Sequence, residues 1–143
     1  MGAKAARQLA TYASQLGWLS STPNPKYEKS DKSTRQDIVG RVELPDVSGS
    51  EYLVQIFEEL GRYAPGANGP EAIPFSEIES YDRLMGTNLS PSEVRMVRSM
   101  STSFVSTYFA GENPNTPAPY TSGETASTLD DRILAGFSRR MKK

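Results

Sequence analysis

Apolar residues recur every three or four positions in five stretches of the sequence, a spacing that places them on one face of an α-helix. The stretches are 3–19, 48–62, 74–85, 91–110 and 128–142. The residues between them follow neither the period of a helix nor that of a strand. The pattern therefore predicts an all-α protein.

The first central helix lies between a start signal and a loop. Ser48 and Glu51 have the spacing of a capping box, and the apolar stripe that follows ends near Arg62. Prolines and glycines crowd residues 63–72, YAPGANGPEA, which predicts a loop. Residues 33–47, before this helix, are expected to be largely irregular.

The other two central helices have clear boundaries. Gly86 is expected to end the earlier one in the left-handed conformation. That helix is expected to turn Phe75, Ile78, Leu84 and Met85 inward. Ser90 is expected to cap the later helix, with Pro91 at its first position and Glu93 three residues after the cap. This helix should continue to about Ala110.

These elements predict a small three-helix core with an amphipathic helical arm at each end. The core is 48–111, the N-terminal helix is 1–20 and the C-terminal helix is 128–143. Residues 21–47 and 112–127 are rich in Pro, Ser and other polar residues, which is typical of linkers.

The two arms carry apolar stripes that need a partner surface, because isolated helices below about 12–15 residues are marginal in water. Flexible linkers would let each arm dock on a neighbouring chain, which predicts self-association. The candidate residues are Leu9, Tyr12 and Leu16 in one arm, and Ile133, Phe137 and Met141 in the other.

Charge is distributed unevenly, although the net charge is only −1. Residues 1–42 carry seven basic and three acidic side chains (+4), residues 43–93 two and ten (−8), and residues 94–143 seven and four (+3). An acidic centre between basic ends favours salt-sensitive contacts between subunits or with a protein partner.

Composition excludes several classes of site. The sequence has no cysteine and no histidine, so disulfides, thiolate metal sites and histidine general bases are excluded. No run approaches the roughly 18 apolar residues of a membrane span, and no signal peptide is evident. We expect a non-enzymatic, soluble intracellular protein without cofactor or metal.

Residues 74–110 resemble a helix-turn-helix, with Arg95 and Arg98 placed to reach bases. A DNA reader needs a basic face, whereas Glu77 and Asp82 lie on the helix that would cross the backbone. The charge therefore makes nucleic acid an unfavourable partner. The acidic residues themselves lack the spacing of a calcium loop and are better explained as solvated charge.

Aromatic residues are concentrated in the central region and are the candidate contacts to a protein partner, because aromatic anchors dominate protein interfaces. The candidate partner-binding residues are Tyr52, Phe57, Tyr63, Ile73, Phe75, Tyr81 and Tyr108. Tyr63, Phe75 and Tyr81 are expected to contribute most, because they flank the proline-glycine loop.

Residues 52–109 resemble a family of tailed-phage tail assembly chaperones. The resemblance lies in YLVQIFEELGRY, the loop APGANGPEA, the signature IPFSEIESYDRLMG, the entry LSPSEV and the ending STYF. It implies a phage morphogenesis protein that binds another phage structural protein, such as the tail tube subunit or the tape measure. The resemblance also implies a location in the host cytoplasm during assembly, with the virion as the alternative. The resemblance does not extend to residues 1–47 or 112–143.

Two other functions remain open from the sequence. The first is a structural component of the virion, whose helical arms lace neighbouring subunits together through tethered docking. The second is the helix-turn-helix DNA-binding protein that the charge disfavours.

Overall fold

The structure, a computed structural model, describes residues 2–23 and 33–120 and is predominantly helical, which confirms the predicted class. The elements are α1 (Ala3–Ser20), α2 (Arg35–Val39), α3 (Glu51–Glu59), β1 (Ala64–Gly66), β2 (Gly69–Glu71), α4 (Phe75–Met85) and α5 (Pro91–Ala110). The predicted helix at 128–142 lies outside the described residues.

Helix α5 is the centre of the fold, and α1 packs along it. Leu9, Ala13 and Leu16 of α1 are buried in one cluster with Val97 and Phe104 of α5. The position of α1 differs from the expected arm, because its apolar stripe is covered by the chain's own α5. Leu9 and Leu16 therefore have no free surface for a neighbouring chain in this conformation.

The contact between α1 and α5 is close because it is formed at a glycine. A Cβ atom added at Gly17 would overlap the Phe104 carbonyl oxygen and the Thr107 hydroxyl, and would lie 2.9 Å from the Phe104 carbonyl carbon. The Thr107 hydroxyl donates to the Ser14 carbonyl at 2.7 Å. Tyr12 is half-buried at the edge of the same core.

Helix α2 was not expected, because residues 33–47 carry little apolar periodicity. A local capping box forms it: the Thr34 hydroxyl accepts from the Asp37 N–H, and the Asp37 carboxylate accepts from the Thr34 N–H at 3.0 Å. The helix begins with the buried Arg35, whose guanidinium lies 4.8 Å from the centre of the Trp18 ring. Trp18 and Leu19 form a second buried cluster at this end of α1.

The start of α3 corrects the predicted capping box. The Ser48 hydroxyl donates to Asp46 at 2.5 Å, so its side chain is engaged before the helix. The helix begins at Glu51 after Ser50, which makes no side-chain capping bond. Leu53, Ile56 and Phe57 then form its buried face, as the stripe predicted.

The predicted loop at 63–72 contains an antiparallel hairpin, the only strands within 2–23 and 33–120. Ala64 pairs with Glu71 and Gly66 with Gly69. The turn requires the positive φ of 111° at Gly69, which a side chain would strain. Three-residue strands that contain proline give no periodic signal, so the sequence could not distinguish this hairpin from a loop.

Helix α4 ends as predicted at Gly86, with φ 64° and ψ 31°. The expected inward face is wrong for three of its four residues. Ile78 is buried, but Phe75, Leu84 and Met85 are 52%, 78% and 58% exposed. At 100° per residue, Phe75 and Met85 do share the side of Ile78, but they lie at the two ends of the helix, beyond the turn that packs. Leu84 points about 120° away from Ile78.

The start of α5 is confirmed in detail. The Ser90 hydroxyl accepts from the Glu93 N–H at 3.2 Å, the Glu93 carboxylate accepts from the Ser90 N–H at 2.8 Å, and Pro91 is the first helical residue. We expect Ser90→Ala to lower the free energy of unfolding by about 1 kcal/mol, the usual loss for a Ser cap. Urea denaturation measures this, with Ser92→Ala as the control on the same turn. An equal effect of the two substitutions would contradict the capping role.

Candidate partner-binding site

A groove of about 310 Å³ lies between α3, α4 and the turn that leads into α5. We call it the tyrosine groove. It is lined by Tyr52, Gln55, Ile56, Glu59, Tyr81, Met85, Thr87, Leu89 and Glu93. Apolar and aromatic side chains thus share a concave surface with two carboxylates.

Two tyrosine–glutamate pairs fix the aromatic side chains of the groove. The Tyr52 hydroxyl donates to the Glu93 carboxylate at 2.5 Å, and the Tyr81 hydroxyl donates to the Glu59 carboxylate. Each pair joins two different helices, α3 with α5 and α4 with α3. Because the rings are held at their tips, little side-chain entropy is left to lose when a partner covers them.

The pairs also determine protonation. The hydrogen bond to its glutamate raises the pKa of Tyr52, and likewise of Tyr81, to about 12. The Tyr81 hydroxyl lowers the pKa of Glu59. The Ser90 N–H, followed by the Tyr52 hydroxyl, lowers the pKa of Glu93. At neutral pH the groove therefore presents two neutral phenols and two ionised carboxylates.

One rim of the groove is ordered by Asp82. Its carboxylate accepts from the Thr87 hydroxyl at 2.5 Å and from the Leu89 N–H at 2.9 Å. These bonds lower the pKa of Asp82, the Thr87 hydroxyl contributing most. Asn88, between the two bonded residues, has a positive φ of 54°. Asp82 thus holds the turn from α4 to α5 in the shape that brings Leu89 to the groove.

A second cavity of about 480 Å³ continues the groove toward α1. It shares Tyr52 and Glu93 with the groove and extends to Ser48, Ser50 and Ala5. Among the described residues that line the two cavities, none is Lys or Arg. The negative charge of this surface therefore comes from Glu59 and Glu93, and the rest of the second cavity is lined by uncharged residues.

The structure places the predicted partner-binding residues in four environments: the tyrosine groove, the core, a stack on the Phe104 ring and a contact with Arg98. Tyr52 and Tyr81 lie in the tyrosine groove. Phe57 and Ile73 are buried in the core, so they offer no surface to a partner in this conformation. The remaining three residues, Tyr63, Tyr108 and Phe75, lie outside the groove.

Tyr63 and Tyr108 stack on the Phe104 ring, with centroids 5.9 and 6.5 Å apart. Phe75 packs on Arg98, whose guanidinium carbon lies 5.0 Å from the ring centre.

The groove also contains residues that were not predicted as site residues, namely Glu59, Glu93 and Met85. These residues come together only because α3, α4 and α5 pack against one another. A periodic pattern within one helix cannot show that contact.

The arrangement is unlike that of a DNA reader. Arg98 donates to the Ile73 carbonyl at 2.9 Å in addition to its contact with Phe75, so it is used within the fold. The concave surface beside the two helices is acidic, which would repel phosphates. The residues that the structure describes contain no group of three or more acidic side chains able to hold a metal ion.

Within the described ranges, no helix combines the length and apolarity needed to cross a bilayer. A family model described as phage tail assembly chaperone matches residues 29–105, more than half of the 143 residues. Comparison with curated proteins and with solved structures gave no match. The matched segment contains α2, α3, the hairpin, α4, most of α5 and every residue of the tyrosine groove. The chain belongs to the phage tail assembly chaperone family.

Proposed function

We propose that this protein is a non-enzymatic phage morphogenesis protein that binds a phage tail protein, the tail tube subunit or the tape measure, through the tyrosine groove. Binding would take place in the host cytoplasm during assembly. The observation that carries this proposal is the groove itself, in which two hydrogen-bonded tyrosines line one concave surface together with Met85 and Leu89. Such a surface can cover an assembly-prone apolar segment without any chemistry.

Exposure of the apolar groups supports binding at this place. Met85 and Tyr52, which line the groove, are 58% and 43% exposed. Clustered exposed apolar side chains beside a concave surface mark interaction sites on proteins. Desolvation of the two rings would contribute most of the affinity, since aromatic anchors typically dominate an interface.

The experiment is capture of co-expressed tail tube or tape-measure protein by the full-length, affinity-tagged chain. Tyr52→Ala with Tyr81→Ala removes both rings, and we expect capture to weaken by about 100-fold, as expected for two anchors at ~1.4 kcal/mol each. Tyr52→Phe with Tyr81→Phe keeps the rings but frees both carboxylates. We expect this pair to lose only a small part of the affinity.

The matched control is Phe109→Ala, because Phe109 is an exposed aromatic residue (40%) that lines neither cavity. It should capture the tail protein as the wild type does. Helical circular dichroism of each variant must be unchanged for the comparison to count. Equal capture by the double alanine variant and the wild type would reject the groove as the binding site.

A further inference from the structure

We infer that residues 128–143 dock into the tyrosine groove of the same chain when no tail protein is bound. A tail protein would then bind by displacing this segment. The inference rests on the proposed function only for the identity of the displacing partner. The docking itself is a property of the isolated chain.

The apolar surfaces match. Leu129, Ile133, Phe137 and Met141 recur every fourth position and would form one stripe on a helix. The groove offers Met85 and Leu89 together with the rings of Tyr52 and Tyr81. A helix of these 16 residues would be about 24 Å long, so it can cover the groove together with the adjoining cavity.

The charges are complementary. Residues 128–143 carry five basic and two acidic side chains, a net charge of +3, and four of the basic ones lie in 139–143. The described lining of the groove and its adjoining cavity has Glu59 and Glu93 and no basic residue. Both carboxylates are ionised at neutral pH, because the ordinary pKa of a glutamate already lies well below 7 and their hydrogen bonds lower it further. Arg139 and Arg140 would face a surface of opposite sign over a short distance.

The connecting residues are long enough to reach. The Tyr120 N–H donates to Gln15 of α1 at 3.1 Å, which fixes where the described chain leaves the core. Ala5, at the other end of α1, lines the adjoining cavity. The ten residues from Gln15 to Ala5 cover about 15 Å along the helix. Residues 121–127 span up to about 24 Å when extended, so residue 128 can begin at that cavity.

A short tether favours this occupant over a second copy. Docking within one chain benefits from an effective concentration of order millimolar, which a second molecule reaches only in concentrated solution. The N-terminal helix cannot compete for the groove, because its stripe is already buried against α5. The 128–143 segment is therefore the occupant that combines apolar fit, opposite charge and proximity.

Cross-linking in the full-length protein tests the contact, and the absence of native cysteine makes it specific. Gln55→Cys places a thiol on the exposed edge of the groove, and Ser138→Cys places one beside Phe137. A short bis-maleimide should join them within one chain at low protein concentration. The control pairs Ser138→Cys with Asn68→Cys, an exposed site at the hairpin turn. We expect about tenfold more intramolecular product from the groove pair, given the local concentration that docking creates.

Charge exchange provides the second arm of the test. Arg139→Glu with Arg140→Glu should reduce the groove cross-link to the level of the control pair, because it changes only the docking segment. Adding Glu59→Lys to this variant should restore part of the product, since the attraction is then re-created with the signs reversed.

The outcomes separate the possibilities. A covalent dimer as the main product would show that a second copy fills the groove, and equal yields from the two cysteine pairs would show that no docking occurs. Either result overturns the inference. A strong intramolecular cross-link together with unchanged tail-protein capture by the double alanine variant would reject the proposed function and leave the docked segment standing.

Discussion

Gly17→Ala is expected to lower the free energy of unfolding by about 2–3 kcal/mol, in the upper part of the range for overpacked cores. The added methyl group would overlap the Phe104 carbonyl oxygen and the Thr107 hydroxyl. The carbonyl belongs to the α5 backbone and cannot rotate away as a side chain can. Helix α1 must therefore move off α5, which also breaks the bond from Thr107 to the Ser14 carbonyl.

The expected destabilisation is opposite in sign to the change that helix propensity predicts, so the measurement distinguishes the two. In an exposed helix, replacing glycine by alanine stabilises by about 1 kcal/mol, so intrinsic helix propensity predicts the opposite change. Urea denaturation of the full-length protein gives the free energy, and Gly2→Ala is the control, since a Cβ atom there meets nothing within 4 Å. A Gly17→Ala protein as stable as the wild type would mean that α1 is not packed closely on α5, and the arm expected from the sequence would be restored.

The sequence predicted helices well and their relative positions poorly, and α1 shows why. Its limits follow from a local period that any isolated helix would show. Whether Leu9 and Leu16 are covered by α5 or by another chain depends on a complementary surface far along the sequence. Gly17 is the residue that allows α1 to approach α5 closely. In the sequence, however, a glycine that permits a close helix crossing cannot be distinguished from one that only weakens a helix.

For a related reason, only some of the residues that line the tyrosine groove could be predicted from the sequence. Aromatic enrichment pointed to Tyr52 and Tyr81 as contact residues, and the family resemblance pointed to a protein partner. Their glutamate partners lie 41 and 22 residues away along the chain, Glu93 in the next-but-one helix and Glu59 in the preceding one. Acidic residues are common on helix surfaces, so composition could not single these two out from solvated charge.

The segment that the family model matches also includes α2. It begins at residue 29 and thus includes Arg35, which the resemblance noted from the sequence did not cover. Arg35 is fully buried, and it connects the end of α1 with the residues that follow α5. A charged residue in such a position stabilises a connection between segments that are distant in sequence.

Arg35→Met is expected to lower the free energy of unfolding by about 3–5 kcal/mol, the sum of two or three hydrogen bonds from a charged donor. The guanidinium donates to the Ser21 hydroxyl and the Asn113 carbonyl, each at 2.9 Å, and to the Gly111 carbonyl, and it packs on Trp18. Methionine fills a similar volume and keeps the apolar contact with the ring. The loss would therefore report the hydrogen bonds and not a cavity.

Arg35→Lys is the matched control, because it keeps the positive charge but not the planar fork that reaches two carbonyls at once. We expect Arg35→Lys to lower the free energy of unfolding by less than Arg35→Met does, as measured by urea denaturation. Hydrogen exchange should show the same order for the amides of 111–120, which are held by Arg35 and by the Trp18 indole N–H donating to the Thr116 carbonyl at 3.0 Å.

Replacing a buried ion pair by apolar residues is often neutral, because both charges leave together. Here the acceptors include two backbone carbonyls, which remain in place after the substitution and lose the donor that satisfies them. The end of α1 would then keep the Trp18 bond to Thr116 but lose the guanidinium that joins Ser21 to Gly111 and Asn113. A Met variant as stable as the wild type would show that water or another donor reaches these carbonyls, and that Arg35 does not hold the two segments together.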